Sequence, residues 1–227
     1  ADSAALAEFG EVHGVDIYLQ SGGLETVFKL TPNDGIERLH YFLPEFDLQL
    51  NFHPMDFTQI NAKINRLIVS QALQKLQLNS ADVVLDLFCG LGNFTLAMAR
   101  GCGQVVGVEG STEMVARGYE NSSLNGIENA EFYAANLMQP ITQHPWYARK
   151  YTKILLDPPR SGAGEIIAEV AALKAQRIVY VSCNPATLAR DTALLLDHGY
   201  RLEAAGVMDM FPHTTHVESM AVFELCK

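Results

Sequence analysis

The sequence predicts an α/β fold: a mostly parallel sheet of seven strands with helices on both faces, preceded by a small α+β segment. Two observations predict this fold. From about Asp56 onward, apolar stretches of strand length alternate with stretches of helical spacing. The strand stretches are almost continuously apolar, which is typical of parallel sheets buried on both faces. A chain of 227 residues with 48% hydrophobic and 19% charged residues is long enough to bury one such core.

The first 50 residues are weakly patterned. The expected elements are a short helix in SAALAEFGEVHG, a strand in VDIYLQ, and one or two strands around Pro44 in ERLHYFLPEFDLQLNF. We interpret residues 1–50 as part of a central α+β domain and residues 51–227 as a second domain.

Apolar spacing defines the first elements of the second domain. TQINAKINRLIVSQALQKL is predicted as a helix with one apolar face, formed by Ile64, Leu67, Ile68, Ala72 and Leu76. DVVLDLF, QVVGVEG and AEFYAAN are predicted as buried strands. Between them, FTLAMARG and STEMVARGYENSSLNG are predicted as helices, the second opened by Ser111 and closed near Gly126.

The remaining strands complete the sheet. KILLDPPR and RIVYVSC are separated by the helix EIIAEVAAL, whose expected inward face is formed by Ile166, Ile167, Val170 and Leu173. After RIVYVSC, Asn184 suits an N-cap, Pro185 suits a first helical turn, and Gly199 can end the helix. The last two strands are expected in YRLEAAGVMDMF and VESMAVFEL.

Composition limits the possible functions. No apolar run approaches the ~18–20 residues of a membrane span, and ADSAALAEFG lacks the basic and apolar regions of a signal peptide. The four cysteines form no CxxC pair, which argues against a zinc ribbon and favours a reducing cytoplasm. The net charge is −10, with −6 in residues 1–70, so the chain is a poor nonspecific binder of nucleic acid.

A glycine loop follows the first strand of the second domain. Gly90 and Gly92 allow the backbone to approach a ligand closely, and Glu109, 23 residues beyond Asp86, can bind a ribose diol. The third glycine of a dinucleotide fingerprint is missing, so S-adenosylmethionine is favoured over a nicotinamide nucleotide. A nucleotide oxidoreductase and a plain tight turn are the alternatives.

Two further strand ends carry reactive groups. Asp157 is followed by two prolines and Arg160, and in methyltransferases such a turn borders the pocket between the cofactor and the target base. An ordinary proline turn is the alternative. Cys183 lies just before a helix N-terminus, which favours a thiolate nucleophile; the alternative is a small buried residue at a strand end. Cys89 is the rival thiol, in the cofactor loop, and we interpret Cys102 and Cys226 as non-catalytic.

The segment MFPHTTHVESM precedes the last strand. His213, His216 and Glu218 could form a two-histidine, one-carboxylate metal site, but no fourth ligand is nearby, so no metal is expected. Glu218 begins an otherwise apolar strand and is a candidate general base with a raised pKa. The histidines are then loop supports or contacts to the substrate.

Six segments in this order resemble the RNA uracil-C5-methyltransferase family: FTQIN, DLFCGLGNF, VGVEG, LLDPPR, VSCNPATLARD and FPHTTHVES. The resemblance covers about Asn51 to Lys227. YVSCNPATLARD and MDMFPHTTHVESM are most similar to the bacterial members that act on 23S ribosomal RNA. The resemblance implies a Rossmann-like class I S-adenosylmethionine-dependent methyltransferase, with residues 51–227 as its catalytic domain.

The resemblance also implies residue roles. Cys183 would add to uracil C6, and Glu218 would remove the C5 proton. The implied cofactor-binding residues are Gln59, Phe88, Asn93, Glu109, Asn136 and Asp157, to which the glycine loop adds Gly90. We further expect Arg160 to stabilise charge at the uracil carbonyl and His213 to contact substrate.

The implied substrate is a uridine of 23S rRNA in a loop or flipped out of a helix. Larger members carry an N-terminal RNA-binding β-barrel and a [4Fe–4S] cluster, neither of which is visible here, so we interpret the chain as a fragment. No membrane and no obligate protein partner are expected. Three alternatives stay open: a tRNA uracil methyltransferase, an amino-methyltransferase that uses the Asp157 turn and needs no cysteine, and a cofactor-binding fragment without activity.

Overall fold

A computed structural model describes residues 2–23, 26–31, 38–210, 212–214 and 216–226. The chain forms two compact units. The first comprises Ala1–His40 and Asn51–Thr58, and the second comprises Tyr41–Leu50 and Gln59–Lys227. No helix in the described residues is both long and apolar enough to span a bilayer.

The first unit contains helix α1 (Asp2–His13) and an antiparallel pair of strands, β1 (Ile17–Gln20) and β2 (Val27–Thr31). The helix and β1 lie where the sequence predicts them. Strand β2 was not predicted, because its five residues, VFKLT, show no clear alternation of apolar and polar side chains; in the structure one is exposed, three are half-buried and one is buried.

Two strands flank Pro44, as predicted. β3 (Leu39–Leu43) and β4 (Leu48–Phe52) pair with each other, and a single 3-10 turn, Pro44–Phe46, joins them. The middle of this hairpin groups with the second unit, because the Asn125 side chain bonds both the backbone N–H (2.9 Å) and the backbone carbonyl (2.7 Å) of Gln49. The compact units therefore do not divide at residue 50, and the assignment of residues 1–50 to a partial central domain stays a prediction.

The second unit contains a seven-stranded sheet of order β10-β11-β9-β8-β5-β6-β7. Its strands are β5 (Val83–Leu87), β6 (Gln104–Glu109), β7 (Ala130–Ala134), β8 (Lys153–Leu156), β9 (Arg177–Ser182), β10 (Tyr200–Met208) and β11 (Glu218–Leu225). Neighbours pair in parallel from β9 to β7, whereas β11 runs antiparallel to both β9 and β10. The predicted α/β fold with a mostly parallel seven-stranded sheet is confirmed.

Five helices accompany this sheet: α2 (Ala62–Leu76), α3 (Thr95–Ala99), α4 (Thr112–Leu124), α5 (Ile167–Ala172) and α6 (Pro185–Asp197). The predicted N-caps are confirmed: Ser111 Oγ accepts a hydrogen bond from the N–H of Met114, and Asn184 Oδ1 accepts one from Ala186. The chain also leaves α4 and α6 through glycines at positive φ, Gly126 (62°) and Gly199 (88°).

Two predictions about α2 are wrong. The helix begins at Ala62 rather than Thr58, because the Asn61 side chain caps it by accepting the N–H of Ile64. Leu67 is 53% exposed, whereas Val69 is fully buried. The buried face of α2 therefore keeps Ile68, Ala72 and Leu76 from the predicted set and includes Asn65 and Val69 but not Leu67.

The core lies around the central strands. It is built from the apolar side chains of the parallel strands and of α5, including Leu85, Val106, Ile154, Ile178 and Val170. Because the strands are covered by this packing, polar groups are concentrated at their ends, and the carboxyl ends of the parallel strands form the one edge on which the candidate site is built.

Candidate active site at the carboxyl end of the sheet

Sheet topology gathers the predicted site residues. Phe88, Asp157 and Cys183 directly follow β5, β8 and β9, three adjacent parallel strands, and Glu109 ends β6. Glu218 begins β11, which runs antiparallel to β9, so its first residue lies at the same edge. Residues from five strands are thereby brought to one end of the sheet.

The glycine loop wraps around the end of β6. Phe88 and Gly90 have positive φ (67° and 54°), and the backbone N–H groups of Phe88 and Cys89 donate to the Val108 carbonyl. The Glu109 carboxylate accepts hydrogen bonds from the N–H groups of Gly90 (3.0 Å), Gly110 (2.7 Å) and Ser111 (3.2 Å). The carboxylate is thus held in one orientation by backbone amides.

Asp86 was not selected as a site residue from the sequence. It is fully buried at the end of β5, where its Oδ2 accepts a hydrogen bond from Thr95 Oγ1 (2.5 Å) and its Oδ1 has no hydrogen-bond partner among the described residues. Burial raises the pKa of this carboxyl to about 7, the Thr95 hydrogen bond opposes the rise, and the charge of Glu109 adds to it. Its position as the first residue of DLFCGLGNF was the available signal.

Asn93 takes part in a polar cluster under the loop. Its amide and that of Asn65 exchange two hydrogen bonds (2.9 and 3.0 Å), and its Oδ1 also accepts the Tyr41 hydroxyl (2.9 Å). Asn93 therefore fixes the loop to α2 and β3. Gln59 is half-buried ahead of α2, and Asn136 is exposed beyond β7, where its Oδ1 accepts the N–H of Met138.

Cys183 and Glu218 flank the last residue pair between β9 and β11. The antiparallel register pairs Ser182 of β9 with Ser219 of β11; Cys183 directly follows the first of these residues and Glu218 directly precedes the second. The two side chains are close enough for the Glu218 charge to act on the Cys183 thiol. Cys183 is half-buried and Glu218 is only 3% exposed.

Burial and charge determine how these groups titrate. Burial raises the pKa of Glu218 to about 7, as a general base requires. Burial also raises the pKa of Asp157 well above its usual range, and the charges of Glu218 and Asp86 contribute to that rise.

Other groups act on the Cys183 thiol besides the α6 N-terminus. Burial raises the pKa of this thiol, and the neighbouring charges of Glu218 and Asp157 add to the rise, whereas the Arg160 guanidinium lowers it. Two carboxylates and partial desolvation therefore oppose the effect expected of the helix end, which stays a prediction.

Arg160 extends from the loop after β8. Its side chain is exposed, and one guanidinium nitrogen lies 3.2 Å from His216 Nδ1. His213 is exposed in the segment before β11 at a φ of 65°. Within the described residues, no three histidine, cysteine, aspartate or glutamate side chains cluster so that they could hold a metal ion.

The rival thiol, Cys89, lies inside the protein. It is 4% exposed, and burial raises its pKa well above the usual range, with further contributions from Asp86 and Glu109. An inaccessible neutral thiol cannot act as a nucleophile. Cys102 is also buried, and Cys226 is exposed near the C-terminus.

The residues at this edge fit S-adenosylmethionine. Asp86, Glu109 and Asp157 offer carboxylates for a ligand that carries an ammonium and a sulfonium charge and a ribose diol, and Asp86 Oδ1 is a buried acceptor without a partner among the described residues. The glycine loop leaves backbone at the surface beside Glu109.

Comparison with known proteins agrees with this arrangement. The sequence model described as tRNA (Uracil-5-)-methyltransferase matches residues 43–225. The chain belongs to this family. Among family members, the 23S rRNA (uracil(1939)-C(5))-methyltransferase RlmD of Hahella chejuensis is 57% identical over 228 residues, and that of Alcanivorax borkumensis is 54% identical over 227 residues.

The two relatives match nearly all of this chain, but the chain matches only about half of each relative. The two relatives match 98% and 100% of this chain, which spans 51% of their own length. A solved structure, the Pyrococcus abyssi tRNA (uracil-54, C5)-methyltransferase in complex with S-adenosyl-L-homocysteine, superposes with a TM-score of 0.73 at 27% identity. That superposition covers 92% of this chain and 50% of the other. The fold of a methyltransferase that binds this cofactor type is therefore present in the chain.

Proposed function

We propose that this chain carries the catalytic part of an enzyme that methylates C5 of a uridine in 23S rRNA with S-adenosylmethionine. The observation that carries the proposal is the sheet topology, which brings the Cys183 thiol, the Glu218 carboxyl and Asp157 to one edge, close enough for both carboxyl charges to act on the thiol. Membership in the uracil-C5-methyltransferase family supports it. The two relatives above 50% identity favour 23S rRNA over tRNA as the substrate.

The glycine-loop edge would hold the cofactor. Glu109 would bind the ribose, while Asp86, Asp157 and the backbone near Phe88 and Gly90 would surround the remainder. Gln59, Asn93 and Asn136 complete the proposed set. When bound, S-adenosylmethionine supplies an electrophilic methyl group.

Cys183 would activate the pyrimidine. Uracil C5 is too weak a nucleophile to accept a methyl group directly. As the Cys183 thiolate forms a bond to C6, the C5–C6 double bond opens and its electron pair moves into an enolate with carbanion character at C5. Arg160, or a backbone donor, would stabilise the negative charge at the uracil carbonyl.

Glu218 would complete the reaction. Once C5 carries both its proton and the new methyl group, the Glu218 carboxylate takes the proton. The electron pair of the C5–H bond re-forms the double bond, and the C6–S bond breaks to release the Cys183 thiolate. A pKa of about 7 leaves Glu218 ionised in a useful fraction at neutral pH and able to hold the proton afterwards.

The target uridine has to leave its helix to reach this site. Cys183 is half-buried and Glu218 is buried, so a base paired within a duplex could not place C6 on the sulfur. We expect a uridine in a loop, or one flipped out of its stack, with His213 among its contacts.

The decisive experiment uses two variants and a 23S rRNA fragment containing the target uridine. Cys183→Ala should abolish methyl transfer while cofactor binding, measured by calorimetry, persists. Glu218→Gln should accumulate a covalent RNA–protein adduct that survives a denaturing gel, because elimination needs the base. Cys102→Ala is the matched thiol control and should remain active.

Two results would contradict the proposal. Methyl transfer by Cys183→Ala would show that the reaction needs no nucleophilic thiol, as in an amino-methyltransferase. Absence of an adduct in Glu218→Gln, with activity retained, would assign the proton to another group.

A further inference from the structure

The buried carboxylate of Asp191 connects α6 with β9 and with the loop after β8. Asp191 lies on α6, two turns after Cys183, and is fully buried. Its Oδ2 accepts hydrogen bonds from the Tyr180 hydroxyl (2.6 Å) and the Ala163 backbone N–H (2.8 Å). Its Oδ1 accepts one from Arg190 Nε (2.8 Å). Tyr180 belongs to β9, and Ala163 to the loop that follows β8.

The first part of the loop between β8 and α5, residues 157–163, is attached to α6 and its N-cap through residues 160–163. The Arg160 carbonyl accepts hydrogen bonds from Asn184 Nδ2 (3.0 Å) and Thr187 Oγ1 (3.3 Å). The Ser161 carbonyl accepts one from Arg190 Nη2 (2.9 Å). We call this segment the Asp157–Ala163 loop; it begins with Asp157 and carries Arg160.

Gly162 shows how closely this loop approaches the carboxylate. Its φ is +80°, and a Cβ atom there would lie 2.6 Å from both Asp191 Oδ2 and Arg190 Nη2. No side chain fits between the loop and α6 at this point, and the backbone conformation itself favours glycine. The loop is therefore set directly on the Asp191 carboxylate.

We propose that Asp191, held by Tyr180, is a positioning residue that sets Arg160 against the Cys183 sulfur. This inference deepens the proposed function and rests on it for the catalytic roles of Arg160 and Cys183. A carboxylate satisfied by three donors could also serve the stability of the core alone. The two roles differ in whether removing the carboxylate changes the surroundings of Cys183.

The pKa of the Cys183 thiol depends on the charged groups around it and can be measured without methyl transfer. It is faced by Glu218 from β11 and by Asp157 and Arg160 from the Asp157–Ala163 loop; of these, Arg160 stabilises the thiolate. Asp157 is held separately, because its backbone N–H donates to the Leu87 carbonyl of β5 (3.3 Å). If residues 160–163 move away when Asp191 is altered, the thiolate therefore loses the Arg160 charge while Asp157 stays in place. Simple removal of the negative charge of Asp191 would act in the opposite direction and favour the thiolate.

The test measures the rate of iodoacetamide alkylation at Cys183 against pH, by mass spectrometry of the proteolytic peptide that contains it, because the exposed Cys226 also reacts. Asp191→Asn should shift the apparent pKa of Cys183 upward and slow alkylation at pH 8 by about threefold, the effect of roughly half a pKa unit. Arg160→Ala should give the same shift. The double variant should add little to either single change, because both remove the same interaction.

Tyr200→Phe is the matched control. It also removes a buried hydroxyl hydrogen bond, from Tyr200 to the Ala175 carbonyl (2.8 Å), but at the start of β10, which pairs with the end of β11 farthest from Glu218. Its Cys183 profile should equal that of the wild type. Tyr180→Phe, which leaves the Asp191 charge in place, should shift the profile in the same direction as Asp191→Asn and serves if the latter does not fold.

A changed melting temperature with an unchanged or lowered Cys183 pKa, in both Asp191→Asn and Tyr180→Phe, would overturn the proposal. The methyl-transfer assay distinguishes failure of the positioning proposal from failure of the proposed function. A shifted thiol profile in a chain whose Cys183→Ala variant still transfers methyl groups would support the positioning contact and reject the catalytic assignment.

Discussion

At the scale of single residues, burial of the Glu218 carboxyl lowers the stability of the fold but suits the base function proposed for it. It is 3% exposed at the start of a strand whose following residues are largely apolar, and burial raises its pKa to about 7. An exposed glutamate would be fully ionised at neutral pH and would release an abstracted proton easily to water. Burial therefore favours the function proposed for Glu218 at the expense of folding.

The raised pKa of Glu218 predicts that the free energy of unfolding depends on pH. The folded-state pKa of about 7 lies above the ordinary glutamate value, so the stabilisation associated with protonated Glu218 is complete below about pH 4 and is lost as the pH rises through 7. Relative to Glu218→Gln, the wild type should lose up to about 3 kcal/mol of unfolding free energy between pH 4 and pH 8. Urea unfolding of both proteins across this range measures the difference.

Comparison with Glu218→Gln cancels contributions that the two proteins share, such as those of surface carboxylates. Equal pH dependence in the two proteins would mean that Glu218 ionises freely in the folded state. That result would also remove the reason for assigning it a base's pKa.

Cys183 illustrates where reasoning from single residues stops. The sequence shows that the cysteine precedes an N-cap and a proline, which indicates a helix N-terminus, and the structure confirms this local geometry. The sequence does not show that Glu218, 35 positions later, lies beside it at the end of the antiparallel β9–β11 pair. The direction of the thiol's pKa shift depends on that nonlocal neighbour.

At the scale of elements, the contact between α4 and the sheet depends on two glycines around one ring. Gly118 of α4 and Gly107 of β6 both lie directly against the ring of Phe132 of β7. An added Cβ would lie 2.7 Å from the ring at Gly118 and 2.9 Å from it at Gly107. The Tyr119 ring contacts Phe132 edge-on, with centroids 5.3 Å apart. The phenylalanine therefore has little freedom to move.

We expect Gly118→Ala to destabilise the chain although alanine is the better helix former. Overpacking against Phe132 costs about 1–3 kcal/mol, which exceeds the roughly 1 kcal/mol gained in helix propensity. Thermal and chemical unfolding measure the effect. Gly206→Ala, where an added Cβ meets nothing within 4 Å, is the control and should leave stability nearly unchanged. Stabilisation by Gly118→Ala would show that the ring can relocate.

The elements that could be predicted have a strong signal in their own residues. Strands such as VVLDL and RIVYVS are almost continuously apolar, and α4 and α6 begin after recognisable N-cap residues. The errors fall where the signal is weak: β2 has a mixed pattern, and the start of α2 depends on which of several polar residues caps it. Leu67 was misplaced because an apolar side chain at helical spacing can still point to solvent.

At the scale of the whole molecule, topology converts separate motifs into a site. Predicting a parallel sheet was enough to place the residues after β5, β6, β8 and β9 at one edge, because the carboxyl ends of parallel strands lie together. The antiparallel insertion of β11 between β10 and β9 was not predicted, yet it brings Glu218 to that edge. Asp86 and Asp191 were missed as contributors because their importance comes from burial and hydrogen bonds, which a single sequence does not display.

The overall charge leads to a prediction about RNA binding by this chain. Its net charge is −10, and log affinity for nucleic acid falls with log salt in proportion to the number of phosphates neutralised. A chain with few cations can neutralise few phosphates. We expect its affinity for a 23S rRNA fragment to fall by less than about tenfold between about 50 and 200 mM salt, where proteins with many phosphate contacts lose about a thousandfold or more.

Fluorescence anisotropy with labelled RNA measures both affinities, and Arg201→Ala, which removes a cation already paired with Glu203 and Glu224, is the charge control. A loss of a hundredfold or more in the unmodified chain would mean that its few cations form a concentrated phosphate-binding surface despite the acidic total.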